Sequence, residues 1–498
     1  TVAILAQGAR TQGPRVDLPA LGCITARGRA AMSLLHWALL PALLLCARGR
    51  HCSAAASLAP AESCGVVAGE SFLLQRSNGT RLHTGQRRLR RRRRSAKGRR
   101  ALALVAWARG RARRRAALVS WTPVFLDEHP LAVCNDGSPA AYYYRKGAEG
   151  SPRWLIFLQG GGWCFDRESC LGRRAQPAIS SSDEFPRSAE EVEQWAARYA
   201  SEGVLHPTRS PLKDAHVAYV RYCTSDAHLG DAGASEATFG MHFRGSHVLR
   251  AVLQDLRSRT GLGERRGDLL VHAGCSAGGR GALASLDHVA EALQDTGAHV
   301  LGLLDAALYV PLRPMLRAEG LDDQTRRAFA LHNSTAFMGQ CAKHFPEGEQ
   351  WKCIFGSYRL PLVRSPYVLS ADQYDVYQIS VGITEEGANN FPPSRPESQE
   401  EIAHAEAFRR LTREHIPRIL MRADAQSSAG GATFFSPACY VHCLSDSSAF
   451  YGLTVGETSL ADALQRALSA GPSGSAAIGI IENCAGFKCG ACQYDMTE

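Results

Sequence analysis

The chain of 498 residues contains no unbroken apolar run of about 18 residues, so the sequence predicts no membrane-spanning helix. With 47 glycines and 23 prolines it has too few of either for a collagen or a proline-glycine low-complexity chain. Its charged fraction of 21% against 45% apolar residues excludes a wholly disordered chain and a coiled coil. No internal repeat is visible. Acidic residues are missing from one stretch altogether: residues 76–115 hold 17 Lys and Arg and no Asp or Glu. The formal net charge of +10 therefore hides an acidic body, because residues 116–498 sum to −10. An excess of positive charge confined to one tract gives no reason to expect nucleic-acid binding by the folded part.

What the N-terminal region does contain reads as processing signal. Met32 is followed by an apolar stretch over 34–47 and then by the small residues Ser53, Ala54, Ala55 and Ala56, the pattern of a secretory h-region and its cleavage site. Residues 1–50 thus read as an upstream region with a candidate signal peptide. Residues 51–120 read as a low-complexity basic linker or pro-region. Arg87 to Arg94 is almost pure arginine and should repel itself in solution. Its simplest reading is a solvated linker; the sharper one makes 87–115 a contact for polyanions.

Sixteen cysteines fit export better than zinc. Cys489 and Cys492 form a C-x2-C unit, but no second such pair accompanies it. Two sequons, at Asn78 and Asn333, suit the same compartment.

Residues 121–498 read as one α/β domain. Short, continuous apolar runs over 154–158, 217–222, 269–273, 300–304 and 367–369 predict buried strands. Between them Val248, Leu249, Val252, Leu253 and Leu256 fall on one helical face, and a helix should run over 278–293. Strands apolar on both faces, alternating with helices, imply a mostly parallel sheet covered on each side. Residues 383–400, rich in Pro, Glu, Ser and Asn, predict an exposed loop.

One motif carries the chemistry. Gly274-Cys275-Ser276-Ala277-Gly278 follows a predicted strand and opens a predicted helix, the setting in which G-x-S-x-G lifts a serine nucleophile above a sheet. A serine hydroxyl needs a base, and the base a carboxylate to orient it. Among the later histidines, His442 lies in a loop with apolar anchors between Cys439 and Cys443, which suits a fixed base. His404 and His415 lie in a polar, helix-like segment and read as surface residues. For the acid, Asp372 and Asp375 both follow the strand at 367–369, and spacing does not separate them. Backbone N–H donors for an oxyanion should come from Ala277 and from the glycine loop Gly160-Gly161-Gly162-Trp163.

With these parts in place, residues 133–495 resemble the pectin acetylesterase/Notum family of secreted carboxylesterases. The resemblance rests on Cys134-Asn135-Asp136-Gly137-Ser138, on Gln159-Gly160-Gly161-Gly162-Trp163-Cys164 and on Tyr222-Cys223-Thr224-Ser225-Asp226. Phe243-Arg244-Gly245, the Ser276 motif, Glu347 to Phe355 and the His442 loop complete it. It implies a disulfide-stabilised α/β-hydrolase-like core. It selects Asp375 in Tyr374-Asp375-Val376-Tyr377-Gln378 as the acid and supports His442, with Gly161, Gly162 and Ala277 as oxyanion donors. It further implies the bridges Cys164–Cys170, Cys134–Cys223 and Cys341–Cys353, and substrate contacts from Trp163, Tyr309 and Phe355. The sequence departs from the family at 306–311, where Pro311 stands in place of an expected carboxylate.

The expected activity is hydrolysis of an O-acyl ester by a Ser-His-Asp triad in a secreted monomer, without metal or organic cofactor. Gly162, where Notum-like sequences carry a bulky aromatic, favours an acetylated polysaccharide as substrate. An acylated protein is the alternative, and an inactive scaffold that binds glycan or acyl groups is the reading outside enzymology.

Overall fold

The computed structural model describes residues 120–316, 318–384, 395–425, 431–471, 477–484, 486–487 and 489. All belong to the compact unit Gln86–Glu498. The candidate signal, the basic tract and the sequon at Asn78 lie outside the described residues, as does most of the expected loop at 383–400.

Nine strands form one sheet. In chain order they include β1 (Trp121–Phe125), β2 (Ala141–Arg145), β3 (Arg153–Leu158), β4 (His216–Val220), β5 (Leu269–Cys275) and β6 (His299–Asp305). β7 (Tyr367–Ser370) and β8 (Ala432–Ser436) follow, then a small separate hairpin of β9 (Thr454–Val455) and β10 (Thr458–Ser459), and finally β11 (Ile478–Ile481). The order across the main sheet is β1-β2-β4-β3-β5-β6-β7-β8-β11. β1 and β2 pair antiparallel at one edge, and every pairing from β4 to β11 is parallel.

The strands are apolar throughout because both faces are covered. In β3, Ile156 and Leu158 join the core under the helices Gly245–Thr260 and Ala277–Ala292. Leu155 and Phe157 face the other way, toward Val192 and Trp195 of the helix Ala189–Tyr199 and Leu464 of the helix Leu460–Ala470. A parallel sheet buried on both sides yields such unbroken apolar strands. All five predicted strands are present. β1, β2, β8 and β11 were not expected. Long helix Gln399–Ala425 supplies one correction: His404, expected at the surface, is buried against Gly382 of the helix Val376–Ile383. No helix among the described residues is long and apolar enough to cross a membrane.

Five disulfides lie within the described residues. Cys134–Cys223, Cys164–Cys170 and Cys341–Cys353 are the three that the resemblance implies. Cys275–Cys443 and Cys484–Cys489 are additional, and the second takes Cys489 out of the C-x2-C unit.

Candidate active site

Parallel strands all end on the same side of the sheet, and the loops beyond β3, β5, β6, β7 and β8 meet there. Ser276 is the turn between β5 and its helix, with φ 58° and ψ −120°. Few non-glycine residues hold such a backbone, and it persists only where neighbours enforce it. Here Ser276 N donates to Asp305 O at 3.1 Å, and Arg280 N donates to Ser276 O at 2.9 Å. The tight turn needs bare glycines around it. A Cβ on Gly278 would lie 2.0 Å from Leu158 O, and one on Gly160 would lie 2.7 Å from Cys275 O.

Asp375 caps the helix Val376–Ile383. One of its oxygens accepts from Gln378 N at 2.8 Å, and the other accepts from His442 Nδ1 at 2.7 Å. Asp372 is buried too, but neither of its carboxylate oxygens has a partner in another side chain among the described residues. The geometry thus pairs His442 with the second of the two aspartates that spacing left open. The remaining ring nitrogen, Nε2, is buried without a hydrogen bond, and His442 and Ser276 line one cleft. Tyr377 stacks on the imidazole with ring centres 5.5 Å apart. Burial pulls the His442 imidazole down, but Asp375, with Asp305 and Asp446 behind it, outweighs this and sets it above its ordinary 6.5.

Among the points that fasten the His442 loop, three lie at or beside Asp305, Asp375 and Ser276. Asp305, at the end of β6, accepts from Leu444 N at 2.7 Å and Ser445 N at 2.6 Å. Val376 N donates to Val441 O at 3.1 Å. The third point is the Cys275–Cys443 bridge, which ties the residue before Ser276 to the residue after His442 with their Cα atoms 5.6 Å apart. Cys275, His442 and Cys443 also bring three metal-type donors within 4.8 Å of one another, but the bridge has consumed both thiols.

The glycine loop is braced from behind by residues that the sequence reading gave no role. Arg173 donates from Nη1 to Gly161 O at 2.7 Å and from Nε to Ser225 Oγ at 2.7 Å. Ser225 Oγ in turn donates to Asn135 Oδ1 at 2.6 Å. Tyr222 donates its hydroxyl to Gly162 O at 2.8 Å. His228 Nε2 lies 2.9 Å from Gln159 O, and burial lowers its pKa to about 4, so the neutral ring donates there. In a trans peptide the N–H points opposite to the C=O. Fixing the Gly161 carbonyl on Arg173 therefore fixes the direction of the Gly162 N–H. Ala277, as the first helical residue, has no intrahelical acceptor for its own N–H.

Two spaces flank Ser276. One is an open cleft of about 520 Å³, with Gly160, Gly161 and Gly162, Tyr199, Glu202, Asp446 and Ser447 among its walls. The other holds about 10 Å³ and is lined by Gly162, Trp163, Ala227, Ala277, Arg280, Tyr309 and Tyr377. Trp163 and Tyr309 thus stand beside Ser276. Phe355, the third expected substrate contact, lies behind Tyr309 with ring centres 6.2 Å apart and lines neither space.

The family model of pectinacetylesterases matches residues 113–470. The chain belongs to that family, a group of carboxylic ester hydrolases. It is 32% identical over 264 residues to the mouse palmitoleoyl-protein carboxylesterase NOTUM, covering 50% of this chain and 49% of that protein. Pectin acetylesterase 7 of Arabidopsis thaliana is 27% identical over 350 residues, 67% of this chain and 83% of its own. The chain spans about half the length of the NOTUM relatives from mouse, Xenopus laevis and human. The solved Wnt deacylase Notum from Drosophila superposes with a TM-score of 0.61 at 24% identity, covering 73% of this chain and 97% of that one, a likeness of fold.

Proposed function

We propose that this pectinacetylesterase-family chain is a secreted serine carboxylesterase that removes acetyl groups from the hydroxyls of an extracellular polysaccharide. Ser276 Oγ attacks the ester carbonyl and passes its proton to His442 Nε2, while Asp375 holds Nδ1–H and stabilises the imidazolium. The N–H groups of Gly161, Gly162 and Ala277 meet the oxyanion, and one such donor is worth roughly 10²–10³ in turnover. Collapse releases the sugar hydroxyl, which takes the proton from His442. Water, deprotonated by the same nitrogen, then frees acetate from Ser276.

The observation that carries the acetyl assignment is the inequality of the two spaces beside Ser276. About 10 Å³ on one side has room for little more than a methyl group, whereas about 520 Å³ on the other suits a bulky alcohol. That larger cleft is walled by Tyr199, Arg198, Glu202 and Ser447, a mixture of aromatic and polar groups suited to a sugar ring. Five disulfides and an exposed Asn333 sequon support an extracellular setting.

One observation favours the second reading, removal of a fatty acyl group from a protein. Behind the small space lies an aromatic cluster of Tyr309, Trp351, Phe355 and Tyr377 that could receive an acyl tail if its entrance opened. The deciding experiment offers acetylated polysaccharide and an octanoyl-serine peptide to the full chain and its Ser276→Ala variant. Release of acetate but not octanoate, lost in the variant, is the expected result. Ser276-dependent release of octanoate alone would replace the first reading with the second.

A further inference from the structure

We infer that Arg280 is the residue that limits the acyl group to acetyl size, by standing where the next carbons of a longer chain would go. The inference rests on the esterase reading of the Ser276 site and adds to it the residue that sets acyl length.

Arg280 lies one helical turn after Ser276, and side chains of a helix lean back toward its N-terminus. It therefore reaches toward the serine. It is 2% exposed. Its guanidinium carbon sits 3.8 Å from the ring centre of Trp163 and 3.9 Å from that of Tyr309, so the cation is sandwiched between two rings. Tyr309 and Arg280 line the small space together with Ser276. These contacts close the small space beside the nucleophile.

Arg280 has few polar partners for a buried cation. Among the described residues no carboxylate pairs with it, Nη1 is 3.4 Å from Thr325 Oγ1, and Nε has no hydrogen-bond partner. A buried cation is ordinarily matched by an anion. The two aromatic faces supply the compensation here, and what they fix is position. Tyr309 also belongs to an apolar cluster with Trp351, Phe355, Tyr377 and Val381. Arg280 shares the walls of the small space beside Ser276 with Tyr309 and Tyr377, the two members of that cluster nearest the nucleophile. A space of about 10 Å³ is close to the least that holds one water. A methyl can enter by a slight shift of the rings. Two further carbons would have to displace the guanidinium.

The test compares kcat/KM for p-nitrophenyl acetate and butyrate in the full chain, with Ser276→Ala as the blank. Arg280→Ala removes the guanidinium and should raise the butyrate-to-acetate ratio by about tenfold or more, since one methylene in an apolar pocket is worth roughly 10–200-fold. Arg280→Met keeps the length without the charge and should leave the preference with acetate. Titration of Ser276 by a small phosphonate ester checks that each variant is folded, and Arg280→Ser serves as a second truncation if the Ala variant fails that check. An unchanged ratio in a folded truncation overturns the inference and leaves the esterase reading standing. So does a Met variant as permissive as the Ala one, because charge and not bulk would then be the barrier. Absence of Ser276-dependent hydrolysis in the wild-type chain would instead defeat the esterase reading, and the inference with it.

Discussion

Asp375, Asp305 and Asp446 all raise the affinity of His442 for a proton, and Asp372 is buried near Asp305 and Asp375 with no side-chain partner among the described residues. A general base works only when neutral, so an upward shift narrows the pH range from the acid side. Turnover should fall as pH drops through the raised His442 value, above the ordinary 6.5. Asp446 borders the open cleft, and burial followed by repulsion from Asp305 raises its own pKa to about 6. Asp446→Asn removes one upward influence and should move the acid limb of kcat/KM to lower pH; a limb that stays put or moves up would contradict this. Asp372 makes a separate prediction. Burial first, then Asp305 and Asp375, hold its carboxyl well above the usual carboxylate range. The folded state thus resists ionising a group that ionises freely when unfolded, so its cost to stability grows as pH rises above about 4. Asp372→Asn should raise the thermal midpoint at pH 8 and lose that advantage near pH 4. Spacing after β7 could not tell the two aspartates apart. What separates them is three-dimensional: Asp375 caps a helix that turns its second oxygen toward His442, while Asp372 points into the crowded interior.

The elbow at Ser276 was legible because its requirements are local: a strand, glycines on both sides and a helix. The strands β3 to β7 were legible for a similar reason, since burial on both faces leaves a continuous apolar run. β1 and β2 were not, because Thr122 and Pro123 interrupt the apolar pattern of the first, and the second is a short run of tyrosines ending in Arg145 rather than an aliphatic run. β8 and β11 are short, and Phe434 and Phe435 read equally well as anchors of a loop. The braces of the glycine loop were illegible because side-chain contacts leave no periodic trace in sequence. Arg173, in a polar helix with a surface-like sequence, reveals itself only through its bond to Gly161 O. The Cys275–Cys443 bridge spans 168 residues, beyond what spacing can pair. Its position makes a prediction at this scale. The double variant Cys275→Ala, Cys443→Ser should lose roughly 2–5 kcal/mol of stability. At a temperature where it stays folded, kcat should drop far more than KM changes, because the His442 loop loses its covalent tie to the nucleophile's strand while the cleft persists. An unaltered kcat would show that the remaining fastenings suffice.

For the whole molecule, the split of charge into a basic tract and an acidic body was readable by counting, whereas the inequality of the two spaces beside Ser276 was not. It depends on where Arg280 comes to rest between rings from two other segments. We propose that the folded domain begins near Trp121, just after the arginine-rich residues. Trypsin, which cuts after Arg and Lys, should then trim the chain to a lasting fragment that starts within about 116–121 and retains Ser276-dependent activity. Rapid loss of that fragment would place the boundary elsewhere. The long bridge also gives the molecule a topology of its own. Cys275 and Cys443 close the intervening chain into a covalent ring that contains Asp375, with Ser276 and His442 at its two ends. A protease that opened this ring at one point would cut the polypeptide without dividing it. The nucleophile and its base would stay knotted side by side, and the wound would show as two bands only on a gel run with reductant.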